Sequence, residues 1–412
     1  MRSIDPEPKP KVVLFVQSVP PLPAGGAEIH TLRLAKKLIE QGVRLFIISP
    51  GKGKVRGWIK WEDVPVYCLH SPLSAVLDYL ARIKRPAPLA PTRIEYDDNK
   101  EITDSVTTPV NLRSRLRYNI FLINAFFFLR KRKKEFNILH VLTIEWLGYV
   151  AVVLAKYFKK KVLLTDSTVN GITNILRYPN GKRKQQFIIQ NADFTALTNA
   201  IRENLHSAGI PSEKITVIYN GIEIDNVYKE QQAPKKQVIF VGNLYQQPAK
   251  GIDILLKAWP LVKEKVPGAQ LLIVGDGDLA AYNAYSKQKG LEESVHFLGR
   301  RYDINDLLLH SDAFVLPSRR EGMSNALMEA MLKAVPCVAT DITGAQDLIT
   351  HNVSGLLVPV KDIHALSDAL VYILQNPVDA RRIGLAGRAA IIEKCDMNLV
   401  AASYAKKYAD IL

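Results

Sequence analysis

Asp312-Ala313-Phe314-Val315-Leu316-Pro317-Ser318-Arg319-Arg320-Glu321-Gly322-Met323-Ser324-Asn325-Ala326-Leu327-Met328-Glu329 reads as a strand, a loop and the opening of a helix. Ala313 to Leu316 is a short apolar run bounded by turn residues, the pattern of a buried parallel strand. Asn325 to Ala334 contains good helix formers with an apolar face at Leu327, Met331 and Val335, and Pro336-Cys337-Val338-Ala339-Thr340 begins another strand. Strand, loop, helix, strand is one βαβ unit, so an α/β fold is expected. Ser324 is a natural N-cap and turns the N–H groups of the first helical turn toward the loop of Glu321 to Met323. An anion sits readily in such a place. The unit also holds two carboxylates eight positions apart, Glu321 and Glu329. Taken alone, that pair reads as a solvated loop charge and an exposed helix residue; its meaning depends on the rest of the chain.

The same alternation runs outward in both directions. Val12 to Val16 reads as a first strand, followed by a Pro- and Gly-rich loop ending Gly25-Gly26-Ala27-Glu28, a helix to about Glu40 closed by Gly42, and a strand from Arg44 to Ser49. Strand patterns recur at 65–69, 137–142, 161–165, 194–197 and 214–218, and residues 84–109, rich in Pro, Asp and Thr, read as a long surface loop. Tyr228 to Lys236 is polar and is the best interdomain linker. A second α/β run follows it, with strands at 237–241, 270–274 and 295–298 and an amphipathic helix from Gly251 to Val266. The expected architecture is two doubly wound, Rossmann-like domains, 1–230 and 231–394, facing each other across a cleft. A helix at about 395–412 is expected to pack back on the first domain. Sheets of this kind bind ligands at the carboxyl ends of their strands.

Composition narrows the class. A chain of 412 residues with 48% hydrophobic content can bury large cores. Cys68, Cys337 and Cys395 are far apart, with no metal-ligand spacing. No run approaches the roughly 20 apolar residues of a membrane-spanning helix, and the N-terminus lacks a signal-peptide core. A cytoplasmic protein is expected. The net charge of +15 is concentrated: residues 111–161 hold twelve Lys or Arg against Glu135 and Glu145, a balance of +10. Within the 113–134 region Ile120 to Leu129 is apolar nearly all round a helix. That suits either a buried core helix with solvated basic ends or one lying on an anionic membrane surface. Nucleic acid is not expected, since no aromatic-interleaved basic motif is present.

In this order and spacing Gly25-Gly26-Ala27-Glu28, Asn220-Gly221-Ile222, Lys250-Gly251, Leu272-Ile273-Val274-Gly275-Asp276-Gly277, Phe297-Leu298-Gly299-Arg300, Pro317-Ser318 and the Glu321/Glu329 pair resemble the retaining glycosyltransferases of family 4. The resemblance runs from about Lys11 to Leu374 and implies the GT-B fold, a nucleoside-diphosphate sugar as donor, and a glycan or lipid-linked acceptor. It implies that Glu321 bonds hydroxyls of the transferred sugar and Glu329 the nucleotide ribose. Gly322, Met323, Ser324 and Asn325 would line sugar and diphosphate through their backbones, and no metal or other cofactor would be needed. The physical reading agrees. Charge grows on a departing diphosphate, so cations and N–H donors must face it. Lys250 supplies a cation at a helix start, and Gly25 and Gly26, lacking side chains, let backbone approach phosphate closely. For this family a front-face route is favoured, in which the departing phosphate helps deprotonate the incoming hydroxyl.

Two positions depart from the family pattern. An Arg common after the first strand of the C-terminal domain is replaced by Asn243, so Arg300 or Arg301, or Arg319 or Arg320, is expected to make up the lost charge. Where relatives carry an active-site His, this chain has Asp166, either an orienting group for acceptor or sugar or a cap for the next helix. These departures keep two other readings in view: a binding subunit without catalysis and, on the same architecture, a nucleotide-sugar 2-epimerase. His140 and His296 read as structural.

Overall fold

The structure is a computed structural model that describes residues 9–16, 20, 26–50, 55–69, 112–168, 171–230, 235–244, 247–277 and 279–412. The 84–109 segment read as a surface loop, and Gly25, lie outside the described residues. The chain divides into two compact units. Among the described residues the first comprises everything to Gly221 together with Met397–Leu412, and the second Ile222–Asp396.

The first unit is built on strands β1 (Lys11–Phe15), β2 (Arg44–Pro50), β3 (Gly57–Trp61), β4 (Val64–Leu69), β5 (Ile138–Val141), β6 (Lys161–Asp166), β7 (Asp193–Ala196) and β8 (Ile215–Val217). Their order is β3-β4-β2-β1-β5-β6-β7-β8, parallel except for the β3–β4 pair. Successive side chains of a strand point to opposite faces. In β1, Val13 and Phe15 enter one core while Val12 and Leu14 enter the other. Both faces are covered, which is why these strands read as unbroken apolar runs.

Helices α1 (Gly26–Glu40), α2 (Leu112–Lys131) and α3 (Trp146–Phe158) belong to this unit. The core on the Val13 side takes Phe121, Ala125, Phe128 and Leu129 from α2 and Val150, Ala151 and Leu154 from α3. Thus α2 is neither wholly buried nor wholly superficial: Ile123 and Phe127 on its other side are exposed.

The second unit contains β9 (Gln237–Val241), β10 (Gln270–Val274), β11 (Val295–Gly299), β12 (Ala313–Leu316), β13 (Cys337–Thr340) and β14 (Leu356–Val358), all parallel, in the order β11-β10-β9-β12-β13-β14. Helix α4 (Ile252–Lys265) buries Leu255, Leu256, Trp259 and Val262, and α5 (Asn325–Leu332) buries Leu327, Met328 and Met331. The division between the units falls at 221/222, ahead of the polar 228–236 stretch read as the linker. Polar side chains in and just before that stretch are partnered within the second unit. Lys229 Nζ pairs with Asp312 at 2.8 Å, Lys333 Nζ with Asp225 at 2.6 Å, and the Lys229 N–H donates to the Lys333 carbonyl at 2.8 Å, so residues 222–230 are pinned to the second unit.

The C-terminal helix α6 (Met397–Asp410) joins the first unit, where Tyr404 and Tyr408 are buried. His140 Nδ1 lies 2.7 Å from the Tyr408 hydroxyl and its Nε2 lies 2.8 Å from Thr165 Oγ1. Burial lowers the His140 pKa to about 3, which keeps the imidazole neutral and structural. His296 is likewise occupied, with Nε2 2.6 Å from Gln270 Oε1.

Candidate functional site

In the second sheet β10 lies to one side of β9 and β12 to the other, so the strand order reverses between β9 and β12. Ligands of doubly wound sheets bind outside the carboxyl ends of the strands at such a reversal. The loops that leave those ends carry most of the residues picked out from the sequence. Asn243 follows β9, Gly275 and Asp276 follow β10, Arg300 follows β11, and Glu321 follows β12. The turn ending at Lys250, which leads from β9 into α4, and the loop leading from β12 into α5 meet directly. Lys250 Nζ donates to Glu321 Oε1, and both side chains are mostly buried.

Three contacts explain why they meet. Gly251 has φ +68°, in the left-handed region that favours glycine, and a Cβ there would sit 1.9 Å from the Pro317 carbonyl oxygen. The Arg319 N–H donates to the Ala249 carbonyl at 2.8 Å. The Arg319 guanidinium also grips Asp253, in the first turn of α4, with two bonds of 2.8 and 2.5 Å, at side-chain exposures of 10% and 8%. Behind the loop, Thr343 Oγ1 donates to the Glu321 carbonyl at 3.3 Å, and Gly344 lies hard against the Gly322 carbonyl. Ser324 caps α5 as expected, its hydroxyl accepting from the Leu327 N–H at 3.4 Å. Asn325 opens α5 and Glu329 follows one turn later, both half-buried, while Met323 is buried.

Arg319 is therefore not the spare cation expected to offset Asn243. Its charge is balanced inside the unit by Asp253, a residue the sequence reading passed over. Arg320 is exposed, Arg301 is bonded to Asp303, and Arg300 Nη1 lies 3.3 Å from Asp276 Oδ2. Breaking one side of a buried bidentate pair leaves an uncompensated charge. Asp253→Ala or Arg319→Ala is expected to cost about 3–5 kcal/mol of stability, while the double variant Asp253→Leu/Arg319→Met loses far less. Urea melts of the four proteins measure this; additive losses in the double variant would contradict it.

In the first unit Gly26 opens α1. His30, also on α1, accepts at Nε2 from the Gly221 N–H at 2.9 Å, and burial, with Arg33, holds its pKa down to about 4. Asp166 ends β6 and is 3% exposed. Of the two readings left open for it, the cap is what its bonds describe. Its carboxylate accepts from the Thr168 N–H at 3.2 Å and from the Ile172 N–H, and a Cβ on Gly171 would lie 2.1 Å from it. Burial outweighs those bonds and raises its pKa from 3.8 to about 7.

The sign of the resulting pH dependence follows. Between the two values the unfolded carboxyl has released its proton and the folded one has not. The Asp166 contribution to stability is complete below the unfolded pKa and is lost as pH rises through the folded one. Asp166→Asn keeps an acceptor and never ionises, so its melting temperature should match the parent near pH ~4 and exceed it increasingly toward pH ~8. A difference that does not change with pH would contradict this.

An α/β protein of two doubly wound units is the class that this fold defines. Residues 24–226 match the family described as Glycosyltransferase Family 4, and residues 235–376 match Glycosyl transferases group 1. The chain belongs to this glycosyltransferase family. An N-acetyl-alpha-D-glucosaminyl L-malate synthase of Bacillus anthracis is 27% identical over 262 residues, 60% of this chain and 66% of that one. A phosphatidyl-myo-inositol mannosyltransferase of Mycobacterium leprae (strain TN) is 35% identical over 199 residues, 46% of this chain and 52% of that one. The chain thus spans about half to two thirds of the length of these relatives. Among solved structures, sucrose-phosphate synthase of Thermosynechococcus elongatus superposes with a TM-score of 0.74 at 18% identity, covering 98% of this chain and 99% of that one. An Anabaena protein crystallised with UDP and glucose superposes at 0.69 and 19% identity, covering 96% and 98%. The fold is GT-B.

Proposed function

We propose that this protein is a retaining glycosyltransferase that moves a hexose from a nucleoside diphosphate to a hydroxyl of a glycan or lipid-linked acceptor, without a metal. The observation that carries this reading is the Lys250–Glu321 pair at the reversal point of the second sheet. An ammonium group has three donors, and Glu321 takes one of them. The others suit phosphate oxygens, while Glu321 suits the hydroxyls of the hexose. The N–H groups of the first turn of α5 add donors and a favourable dipole on the same side. Glu329, one turn on, is assigned to the nucleotide ribose, and Asn243 and Arg300, at the ends of β9 and β11, to the nucleotide side. Gly25 and Gly26 are assigned to backbone contact with phosphate.

As the sugar–oxygen bond breaks, negative charge gathers on the diphosphate and the pull of Lys250 on it strengthens. That is stabilisation of the transition state over the ground state. The leaving phosphate takes up the proton of the attacking hydroxyl on the same face of the sugar, so holding the two partners in place replaces a strong base. A uridine nucleotide is the first donor to try, because the Anabaena structure contains UDP and glucose. Incubation with UDP-sugars, acceptor lipid extract and EDTA should release nucleoside diphosphate, and proton NMR of the product should show the donor's anomeric configuration. Product of the opposite configuration would end the retaining assignment; no diphosphate release with any donor would favour a binding subunit.

A further inference from the structure

Helices α2 and α3 present a second feature that glycosyl transfer does not use. Ile123 and Phe127 on α2 are 55% and 56% exposed, and Val153 and Tyr157 on α3 are 41% and 61% exposed. Each pair is four residues apart and so lies on one side of its helix, away from the residues that face the core. The two sides join into one ridge, since the half-buried Phe126 ring lies 5.4 Å from Phe127 and 5.0 Å from Tyr157. Single exposed apolar residues need no explanation, whereas a contiguous set marks an interaction surface.

The rim of this ridge is predominantly basic. Arg130 stands three positions beyond Phe127, Lys131, Lys133 and Lys134 are exposed after it, and Lys156 and Lys159 are exposed on either side of Tyr157. Among described residues of this stretch Glu135 offsets Arg132 at 3.6 Å, leaving these other cations in excess, and Glu145 is bonded to Asn174 at 3.1 Å.

We propose that this ridge docks on an anionic lipid bilayer, with Phe127, Ile123, Val153 and Tyr157 entering the headgroup–acyl boundary and the lysines and arginines meeting lipid phosphates. Phe and Tyr suit that boundary, and a basic rim around an apolar face is the arrangement that binds acidic membranes. A folded protein partner would need carboxylates placed in register with these cations to gain from them. A lipid surface supplies negative charge all round without any register. Among the described residues no helix is long and apolar enough to cross a membrane, so the contact is with the surface.

The test is co-sedimentation with vesicles of equimolar phosphatidylglycerol and phosphatidylcholine, against vesicles of phosphatidylcholine alone. The wild type should bind the anionic vesicles and lose binding as salt is raised. At unchanged melting temperature Phe127→Ser/Tyr157→Ser should bind at least about tenfold more weakly, and Arg130→Gln/Lys131→Gln/Lys134→Gln about 100-fold more weakly. Lys250→Ala should bind as the wild type does, which separates this surface from the proposed reaction. A wild type that stays in the supernatant, or variants that sediment like it, would overturn the proposal. So would a concentration-dependent dimer abolished by Phe127→Ser/Tyr157→Ser, because a second copy would then be what covers the ridge.

Discussion

Lys250→Ala is expected to lower turnover by about 10²- to 10³-fold, the usual effect of deleting one donor aimed at developing negative charge. The loss should fall mainly on kcat. In the proposed reaction Lys250 binds a ground-state diphosphate too, but its attraction grows as the leaving group gains charge, and only that increment accelerates the reaction. Lys250→Arg should not restore full rate. A planar guanidinium cannot replace a compact ammonium between Glu321 and a phosphate without moving the loop. Glu321→Gln should behave differently, since it weakens the grip on sugar hydroxyls while releasing Lys250 from its counter-charge. Steady-state kinetics on the three variants distinguish these outcomes. Equal losses in kcat for Lys250→Ala and for a distant surface lysine such as Lys394→Ala would remove the basis of the assignment.

Gly344→Ala is the second large effect. Elsewhere Gly→Ala commonly stabilises a protein by about 0.4–1 kcal/mol by restricting the unfolded chain. Here the added Cβ would lie 1.5 Å from the Gly322 carbonyl oxygen and 2.7 Å from its carbon. No rotamer relieves a clash with backbone. The loop between Glu321 and Met323 must move instead, at a cost of about 1–3 kcal/mol in overpacking. A displacement of about 1 Å at a reacting group can lower the rate about 100-fold, so turnover should fall about that far although Gly344 is assigned no role in the reaction. The expected pattern is a lower melting temperature together with a lower kcat. A variant with parental kinetics would show that the loop position is less constrained than its packing indicates.

Much of this was readable from the chain. The βαβ unit around Glu321 stood out because Ala313–Leu316 and Cys337–Thr340 are buried on both faces, which writes strands as unbroken apolar runs. Ser324 announced the helix start because a cap needs a particular side chain at one place. Other features left no such trace. Strand β3 had no counterpart in the reading: as the antiparallel edge strand it alternates half-buried and exposed positions and resembles a loop. The polar 228–236 stretch reads as a linker, yet Lys229 within it is paired with Asp312 inside the second unit.

The Arg319–Asp253 clamp joins residues 66 positions apart, and nothing local in either segment points to the other. Without that pairing, Arg319 looked like a spare cation beside the site. The buried network of His140, Thr165, Tyr404 and Tyr408 was hidden for the same reason, since its members lie on β5, β6 and the C-terminal helix. Val153 and Tyr157 were likewise unremarkable in sequence; only the packing of α3 against α2 places them beside Phe127.

The pairing of Lys250 with Glu321 predicts opposite signs for two single substitutions, and calorimetric titration with a nucleoside diphosphate measures both. Lys250→Ala should bind the diphosphate at least about tenfold more weakly than the parent, through loss of a charge-assisted bond. Glu321→Gln should bind it as tightly or more tightly, because the lysine no longer shares its charge with a carboxylate. Unchanged diphosphate affinity in Lys250→Ala, or a weakening in Glu321→Gln as large as that in Lys250→Ala, would contradict the claim that this lysine holds the leaving group.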